Sequence, residues 1–115
     1  MFEDVYEKIY KQNPEITLIG IWGRDGLCLE DARYGYIKLD PELIGAEISD
    51  VISKFTDIKF MPNSYNVVFR IDNQILTIYA LTKEFFLIVL AHDFIIPGKL
   101  NFYVEILKKS IIEML

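Results

Sequence analysis

The sequence has too little of several residue types for whole classes of function. Its 115 residues include one cysteine and one histidine, which excludes an internal disulfide and any zinc site built from several cysteines. Basic residues are also scarce, with 12 Lys and Arg against 17 Asp and Glu, for a net charge of −5. This balance argues against a nucleic-acid partner, whose phosphates bind Lys and Arg, and does not favour an anionic membrane surface.

Long apolar runs are missing as well. The longest, residues 85–91, is far shorter than the roughly 20 residues that span a bilayer. The first ten residues carry Glu3, Asp4 and Glu7, where a signal peptide has a basic start and a continuous apolar run. We therefore expect a cytoplasmic protein without membrane insertion. The hydrophobic fraction of 52% is a folding composition, and we expect residues 1–115 to form a single domain.

Motifs for catalysis or cofactor binding are absent too. The sequence contains neither a G-x-x-x-x-G-K-[ST] phosphate loop nor a G-x-G-x-x-G fingerprint. His92 stands beside Asp93, a pair that can orient a general base, but no matching nucleophile is marked. Cys28 falls in a predicted strand, where a small buried hydrophobe is the usual role. We interpret both His92 and Cys28 as structural, and assign no catalytic residue, no metal and no cofactor.

What the sequence does contain is a regular succession of apolar patterns. Stripes at i, i+3, i+4 and i+7 predict helices, and apolar runs between turn residues predict strands. The order is α-β-β-α-β-β-β-α, and the economical arrangement is a five-stranded antiparallel sheet with helices on both faces, an α+β fold. The predicted strands are Ile16–Trp22, Leu27–Ala32, Tyr65–Ile71, Gln74–Leu81 and Phe85–Ala91. The first predicted helix has its apolar stripe at Phe2, Val5, Tyr6 and Ile9 and is ended by Asn13-Pro14; the other two are Pro41–Phe55 and the segment after Pro97-Gly98.

Turn and cap residues punctuate this succession. Asp25-Gly26 predicts a tight hairpin turn, because such turns need a positive φ. Asp40-Pro41 predicts a helix N-cap followed by proline at the first helical position. Pro62-Asn63-Ser64 marks a loop. Alternation in the first strand predicts that Ile16, Leu18 and Trp22 share one face of the sheet.

The central helix carries a row of small residues beside its apolar stripe. Gly45, Ser49 and Ser53 follow each other at a spacing of four. Such a row lets another backbone approach closely, but it is also what a solvated helix face looks like, and the sequence leaves both interpretations open.

Several segments together resemble the roadblock/dynein light-chain family. The strand-turn-strand ITLIGIWGRDGLCLEDA is similar to that family's opening hairpin, in which an apolar strand meets an Asp-Gly turn. The long helix after Leu39-Asp40, the closing strand FFLIVLA and the helix entered through IIPGKLNFYVEILKK follow the same pattern. The resemblance covers nearly the whole chain and implies a roadblock/profilin-like fold. Trp22 and a third strand with Tyr65 and Phe69 depart from the pattern and leave the subfamily open.

The resemblance implies a homodimer. In this family the central helix pairs with its copy, and the third strand joins its copy edge to edge in one continuous sheet. The small-residue row would then make the close helix contact across the two-fold axis. The implied dimer-interface residues are Gly45, Ser49, Ile52, Ser53, Asn66, Val67, Val68 and Phe69.

The resemblance also implies a function. Roadblock dimers are platforms for small Ras-like GTPases and need no arginine finger, so none is assigned to Arg24, Arg33 or Arg70. Two alternatives remain open: a non-activating scaffold subunit of a larger complex, and a small-molecule sensor domain, which would need a polar-lined cavity. The expected GTPase-binding residues form an acidic surface on the outward side of the central helix: Glu42, Glu47, Asp50 and Lys54.

Overall fold

The computed structural model describes residues 1–56 and 65–115, apart from the side chains of residues 55 and 56. The loop predicted at Pro62-Asn63-Ser64 lies outside the described residues. In the described residues, three helices and five strands follow each other in the predicted order. They are α1 (Glu3–Gln12), β1 (Ile16–Gly23), β2 (Cys28–Arg33), α2 (Pro41–Thr56), β3 (Asn66–Ile71), β4 (Gln74–Ala80), β5 (Phe85–His92) and α3 (Pro97–Met114).

The five strands form one sheet in the order β2-β1-β5-β4-β3. All four neighbouring pairs are antiparallel, which confirms the predicted sheet. The strands with apolar residues on both faces, β1 and β5, lie inside the sheet, where both faces are covered. The outer strands are β2 and β3, and both are more exposed.

Helices cover both faces of the sheet, as the apolar pattern predicts. One core lies between the sheet and the helices α1 and α3, which bury residues such as Tyr6, Ile9 and Val104. The other core lies under α2, which buries Ile44 and Ile48. Because α2 stands alone on its face, its outward side is open to solvent across the described residues.

A β-bulge in β1 changes one detail of the predicted pattern. Ile16 and Leu18 pair with adjacent residues of β5, so Thr17 is an extra residue, and its Oγ1 donates a hydrogen bond to the Leu90 carbonyl at 3.2 Å. An extra residue reverses the alternation of side chains. The prediction that Ile16 shares a face with Leu18 and Trp22 is therefore wrong, and Ile16 lies in the α1/α3 core.

The predicted turn and helix cap are confirmed. Gly26 has a φ of 88°, and the Asp25 carboxylate accepts a hydrogen bond from the Leu27 N–H at 3.1 Å. The Asp40 carboxylate accepts one from the Glu42 N–H at 3.0 Å, which satisfies a donor in the first turn of α2. These local contacts stabilise the β1–β2 turn and the first turn of α2.

Candidate functional site: the α2 face and the β3 edge

One buried tryptophan fixes α2 on the sheet. The Trp22 side chain is fully buried, and its indole N–H donates a hydrogen bond to the Pro41 carbonyl at 3.2 Å. Two glycines lie against the ring: a Cβ added to Gly20 would lie 2.7 Å from Cζ3, and one added to Gly45 would lie 2.5 Å from Cδ1. The indole is therefore held between β1 and the N-terminal half of α2.

Gly45 also lies against the β1–β2 turn, where an added Cβ would overlap the Gly26 carbonyl oxygen. The missing side chain lets α2 approach its own sheet, and Gly45 is buried within the chain. Ile52 is covered too, at 1% exposure, in the core beneath α2. Both residues already make contacts inside the chain, and a place for either of them in a dimer interface stays a prediction.

Ser49 and Ser53 follow Gly45 along the same flank of α2. Their hydroxyls donate hydrogen bonds to backbone carbonyls three residues earlier, Ser49 to Ala46 at 3.1 Å and Ser53 to Asp50 at 2.8 Å. Because Gly45 touches the β1–β2 turn, this flank faces the β2 side of the sheet. The small-residue row and β3 thus lie on opposite flanks of α2. A role for these serines in a dimer stays a prediction.

The other flank of α2 borders an open groove of about 370 Å³ against β3. Apart from Asp40, Glu47 and Arg70, its lining is apolar. The apolar lining consists of Leu39, Leu43, Ile44, Ile48, Val51, Phe69, Ile71 and Leu76. This groove does not have the polar interior that a small-molecule sensor requires.

Leu43, Val51 and Ile71 were missed by the sequence reasoning. Leu43 is 54% exposed although it lies on a helix with a well-formed core. The sequence feature that could have revealed Leu43 is that it is apolar but lies outside the Ile44/Ile48 stripe. A residue at such a position is not buried in the core of its own chain. Because β3 joins these residues from another part of the chain, periodicity alone does not reveal the groove.

β3 places its predicted interface residues along a sheet edge. Val67 and Phe69 pack partly against the core under α2, whereas Asn66 and Val68 lie on the other face and are exposed. Val68 is 58% exposed. Among the described residues β3 pairs with β4 alone, so its outer edge presents unpaired backbone groups. An edge of this kind is a template for another strand.

The structure also brings the predicted GTPase-binding residues together. Glu42, Glu47, Asp50 and Lys54 are all exposed on the outward side of α2. Three carboxylates and one ammonium group give this surface a net charge of −2 (−3 and +1). Its acidic character is as predicted, and whether it binds a partner stays a prediction.

The side chains of His92 and Asp93 each contact another residue. The His92 ring stacks on Phe94 with centroids 5.3 Å apart, and the Asp93 carboxylate pairs with the Arg70 guanidinium at 3.4 Å. Each side chain therefore has a contact other than its neighbour. This arrangement fits the structural interpretation of His92.

Cys28 differs from its predicted role because it is exposed. The sequence indicates a strand there, but β2 is an outer strand, which leaves its side chains less covered. Partial burial of the thiol raises the pKa of Cys28 to about 11, and the nearby Asp31 carboxylate adds to the rise. The thiol is therefore protonated at neutral pH and is a poor nucleophile.

In residues 1–56 and 65–115, no group of three or more His, Cys, Asp or Glu side chains is placed to hold a metal ion. In the same segments, no helix has the length and apolar character needed to cross a membrane.

Comparison with known proteins places the fold. No protein-family model and no curated protein sequence matches the chain. Among solved structures, a roadblock/LC7 domain from Streptomyces avermitilis is similar at a TM-score of 0.72 and 20% identity, over 91% of this chain and 89% of that one. The gliding protein MglB from Thermus thermophilus is similar at a TM-score of 0.77 and 9% identity, over 96% of this chain and 85% of that one. Profilin IA from Acanthamoeba castellanii is similar at a TM-score of 0.62 and 16% identity, over 99% of this chain and 98% of that one. The predicted roadblock/profilin-like fold is confirmed, and identities this low establish the fold alone.

Proposed function

Because the chain has the roadblock/LC7 fold, we propose that it is a homodimeric, non-catalytic cytoplasmic protein that binds and regulates a small Ras-like GTPase. The observation that carries this proposal is the open face of α2. It combines an exposed acidic surface and an apolar groove with a strand edge that is unpaired among the described residues. The resemblance to roadblock proteins suggests the class of partner, and the exposed face of α2 suggests the surface that would bind it.

The acidic surface suits a partner that is locally basic. Glu42, Glu47 and Asp50 are exposed, so each pairwise attraction is weak, about 1 kcal/mol at 4 Å in water. Charges of this kind mainly accelerate association, and salt screens them over about 8–10 Å. The surface therefore sets the rate and orientation of docking.

Homodimerisation fits the β3 edge and the groove next to it. Val67, Val68 and Phe69 lie on β3, and the α2 flank nearest to them carries Leu43 and Val51. An interface centred on β3 would use this flank instead of the Gly45 flank. Covering the exposed Leu43 and Val68 would also remove apolar surface that a monomer leaves in water.

Regulation does not require a catalytic group from this chain. Arg33 pairs with Asp31 at 3.4 Å and Arg70 pairs with Asp93 at 3.4 Å, and the proposal gives neither arginine a role at a phosphate. The protein would act by holding the partner's own catalytic groups in position. In the alternative, a non-activating scaffold, the same surface would bind without changing hydrolysis.

The test of the docking surface is a charge reversal on α2. Asp50→Lys changes the local charge by +2, and we expect it to slow association of the cognate GTPase several-fold at low salt and to leave dimerisation intact. Stopped-flow association rates at low and high ionic strength measure this effect, which should shrink as salt rises.

Glu113→Lys is the matched control. Glu113 is also exposed, but it lies in the last turn of α3 on the opposite face of the sheet, where a cation suits the helix dipole. It should leave the rate nearly unchanged. Equal slowing by both variants would mean that net charge acts and not the α2 surface; equal rates for parent and Asp50→Lys at low salt would remove α2 from the docking site.

A further inference from the structure

The helix α3 carries a second stripe of side chains on the side that is turned away from the sheet. Its inner side buries Leu100, Val104 and Ile111 in the core. The outer stripe consists of Lys99, Phe102, Ile106 and Lys109. These four residues follow each other at spacings of three or four, which places them on one side of a helix. All four are exposed.

Two large apolar side chains form the middle of the outer stripe. Phe102 is 60% exposed and Ile106 is 56% exposed. The Phe102 ring meets the Tyr103 ring edge-on, with centroids 5.3 Å apart, and the Tyr103 hydroxyl donates a hydrogen bond to the Gln12 side chain of α1 at 3.2 Å. Phe102 is therefore supported by a contact that reaches α1, while most of its ring stays in water. Aromatic side chains held in this way are typical anchors of protein interfaces.

A lysine borders this apolar pair at each end. Lys99 and Lys109 are ten residues apart, which is about 15 Å along the helix axis. On the flank of α1 that contacts α3 through Gln12, the charges of Lys8 and Asp4 cancel. The two lysines of α3 therefore set the sign of this surface.

The carboxylates of α3 lie outside the outer stripe. Glu105 follows Asn101 by one turn, and Asn101 accepts a hydrogen bond from the Tyr79 hydroxyl, so this flank of α3 faces β4. Glu113 lies one turn beyond Lys109, near the end of the helix. The outer stripe thus has a charge of +2 from its two lysines, in a chain whose net charge is −5.

The spacing of the outer stripe matches a helix of another protein. The backbone groups of α3 are paired within the helix, so an extended strand finds no edge here. Apolar side chains one turn apart form a ridge that packs into the groove of a second helix. The lysines at both ends favour carboxylates on that helix about ten residues apart, with apolar side chains between them.

A lipid bilayer matches this surface less well. Phe102 and Ile106 together have fewer side-chain carbons than one myristoyl chain, which by itself gives only marginal membrane binding. Two lysines also provide little attraction to anionic lipids in a chain with a net charge of −5. The observations therefore favour a protein helix over a membrane.

We propose that the outer stripe of α3 is a second docking surface, which binds an acidic amphipathic helix of a partner protein. The stripe lies on α3, which packs on one face of the sheet, whereas α2 packs on the other. It is therefore separate from the surfaces assigned to the GTPase and to the homodimer, and the inference depends on neither. A chain with both surfaces would connect a GTPase to a second protein.

Two synthetic peptides of about 18 residues, a length at which alanine-rich helices form, test this surface. Both carry two leucines one turn apart in an alanine background. The acidic peptide has glutamates about ten residues apart on either side of the leucines, and the basic peptide has lysines at the same places. Fluorescence anisotropy of the labelled peptides gives their dissociation constants for the full-length protein. We expect the acidic peptide to bind at least tenfold more tightly than the basic one.

Three variants assign the binding to the outer stripe. Phe102→Gln removes the aromatic anchor at an exposed position and should weaken binding of the acidic peptide at least tenfold. Lys99→Glu combined with Lys109→Glu should reverse the preference between the peptides. Lys38→Glu combined with Lys83→Glu is the matched control, because it changes the net charge equally at two exposed lysines outside α1 and α3. The control should keep the preference of the parent.

The other outcomes each overturn the proposal. If neither peptide binds the parent at about 1 mM, or if the two double variants act alike, the outer stripe is not a docking surface for an acidic helix. Sedimentation with vesicles of phosphatidylcholine and about one third phosphatidylserine tests the membrane. Vesicle binding that Phe102→Gln removes, without peptide binding, would assign the stripe to a membrane. The tests of the homodimer and of the GTPase use other surfaces and keep their own outcomes.

Discussion

Replacing Gly45 by alanine tests the contact that holds α2 against the β1–β2 turn. In an ordinary helix interior this change stabilises a protein by about 1 kcal/mol, because glycine loses more backbone freedom on folding. At Gly45 the added methyl would lie 2.5 Å from Trp22 Cδ1 and 2.8 Å from Nε1, and would overlap the Gly26 carbonyl oxygen. These separations are well below the carbon contact distance of about 3.5–4.0 Å, so α2 or the turn must shift.

The overlap should outweigh the gain in helix propensity. Inserting a methyl group into a packed core costs about 1–3 kcal/mol. A shift of α2 also weakens the hydrogen bond from the Trp22 indole to Pro41, which contributes about 1 kcal/mol. Against these losses stands a propensity gain of about 1 kcal/mol. We expect Gly45→Ala to lower the free energy of unfolding by about 1–3 kcal/mol.

Urea denaturation followed by fluorescence measures this free energy, because Trp22 is the only tryptophan in the sequence and lies at the contact. Gly98→Ala is the matched control: Gly98 is in the first turn of α3 and an added Cβ would meet open space. It should leave stability unchanged or raise it by up to about 1 kcal/mol. A Gly45→Ala variant as stable as Gly98→Ala would refute the close packing of α2 on the turn.

Two more predictions concern the groove and the thiol. Leu43→Glu places a charge at the α2/β3 groove and should weaken the dimer at least tenfold with little change in monomer stability. The control Leu27→Glu changes a leucine that is 71% exposed in the β1–β2 turn, and it should leave the dimer affinity unchanged. Sedimentation equilibrium measures the dimer affinity of both variants, and equal affinities would show that the groove is not part of the interface. Because the pKa of Cys28 is raised to about 11, its thiolate forms only as pH approaches that value. The rate of alkylation by iodoacetamide at pH 8 should be lower than that of free cysteine by on the order of a hundredfold, and this rate should rise about tenfold per pH unit. A rate equal to that of the free amino acid would contradict the raised pKa.

The order of the elements could be predicted from the sequence because it depends on local patterns. The Asp25-Gly26 turn and the Asp40 cap act within a few residues, and apolar periodicity reports which side of each helix is buried. The two-sided apolar pattern of β1 and β5 agrees with the place of both strands inside the sheet. The bulge at Thr17 could not be predicted, since it exists only in the pairing of β1 with β5.

The parts of the candidate site that the sequence does not reveal depend on contacts between distant segments. Gly45 fits a helix-pairing row as well as it fits its actual place, and only Trp22 and Gly26, brought in by the sheet, distinguish the two. Cys28 lies in a strand, as expected, but the local sequence does not determine whether that strand lies at the edge or in the middle of the sheet. The outward charges of α2 were predicted correctly because the Ile44/Ile48 stripe fixes the opposite side of the helix.

The most direct test of the central proposal is single-turnover GTP hydrolysis by purified Ras-like GTPases of the same organism, titrated with this protein. We expect one of them to bind the dimer preferentially in its GTP-bound state and to hydrolyse GTP at a rate changed at least tenfold, while the protein alone hydrolyses none. Sedimentation in the same buffer should give twice the chain mass of 13.4 kDa. Binding without a change in rate would favour the scaffold alternative. A dimer that binds none of these GTPases in either nucleotide state would contradict the proposed function.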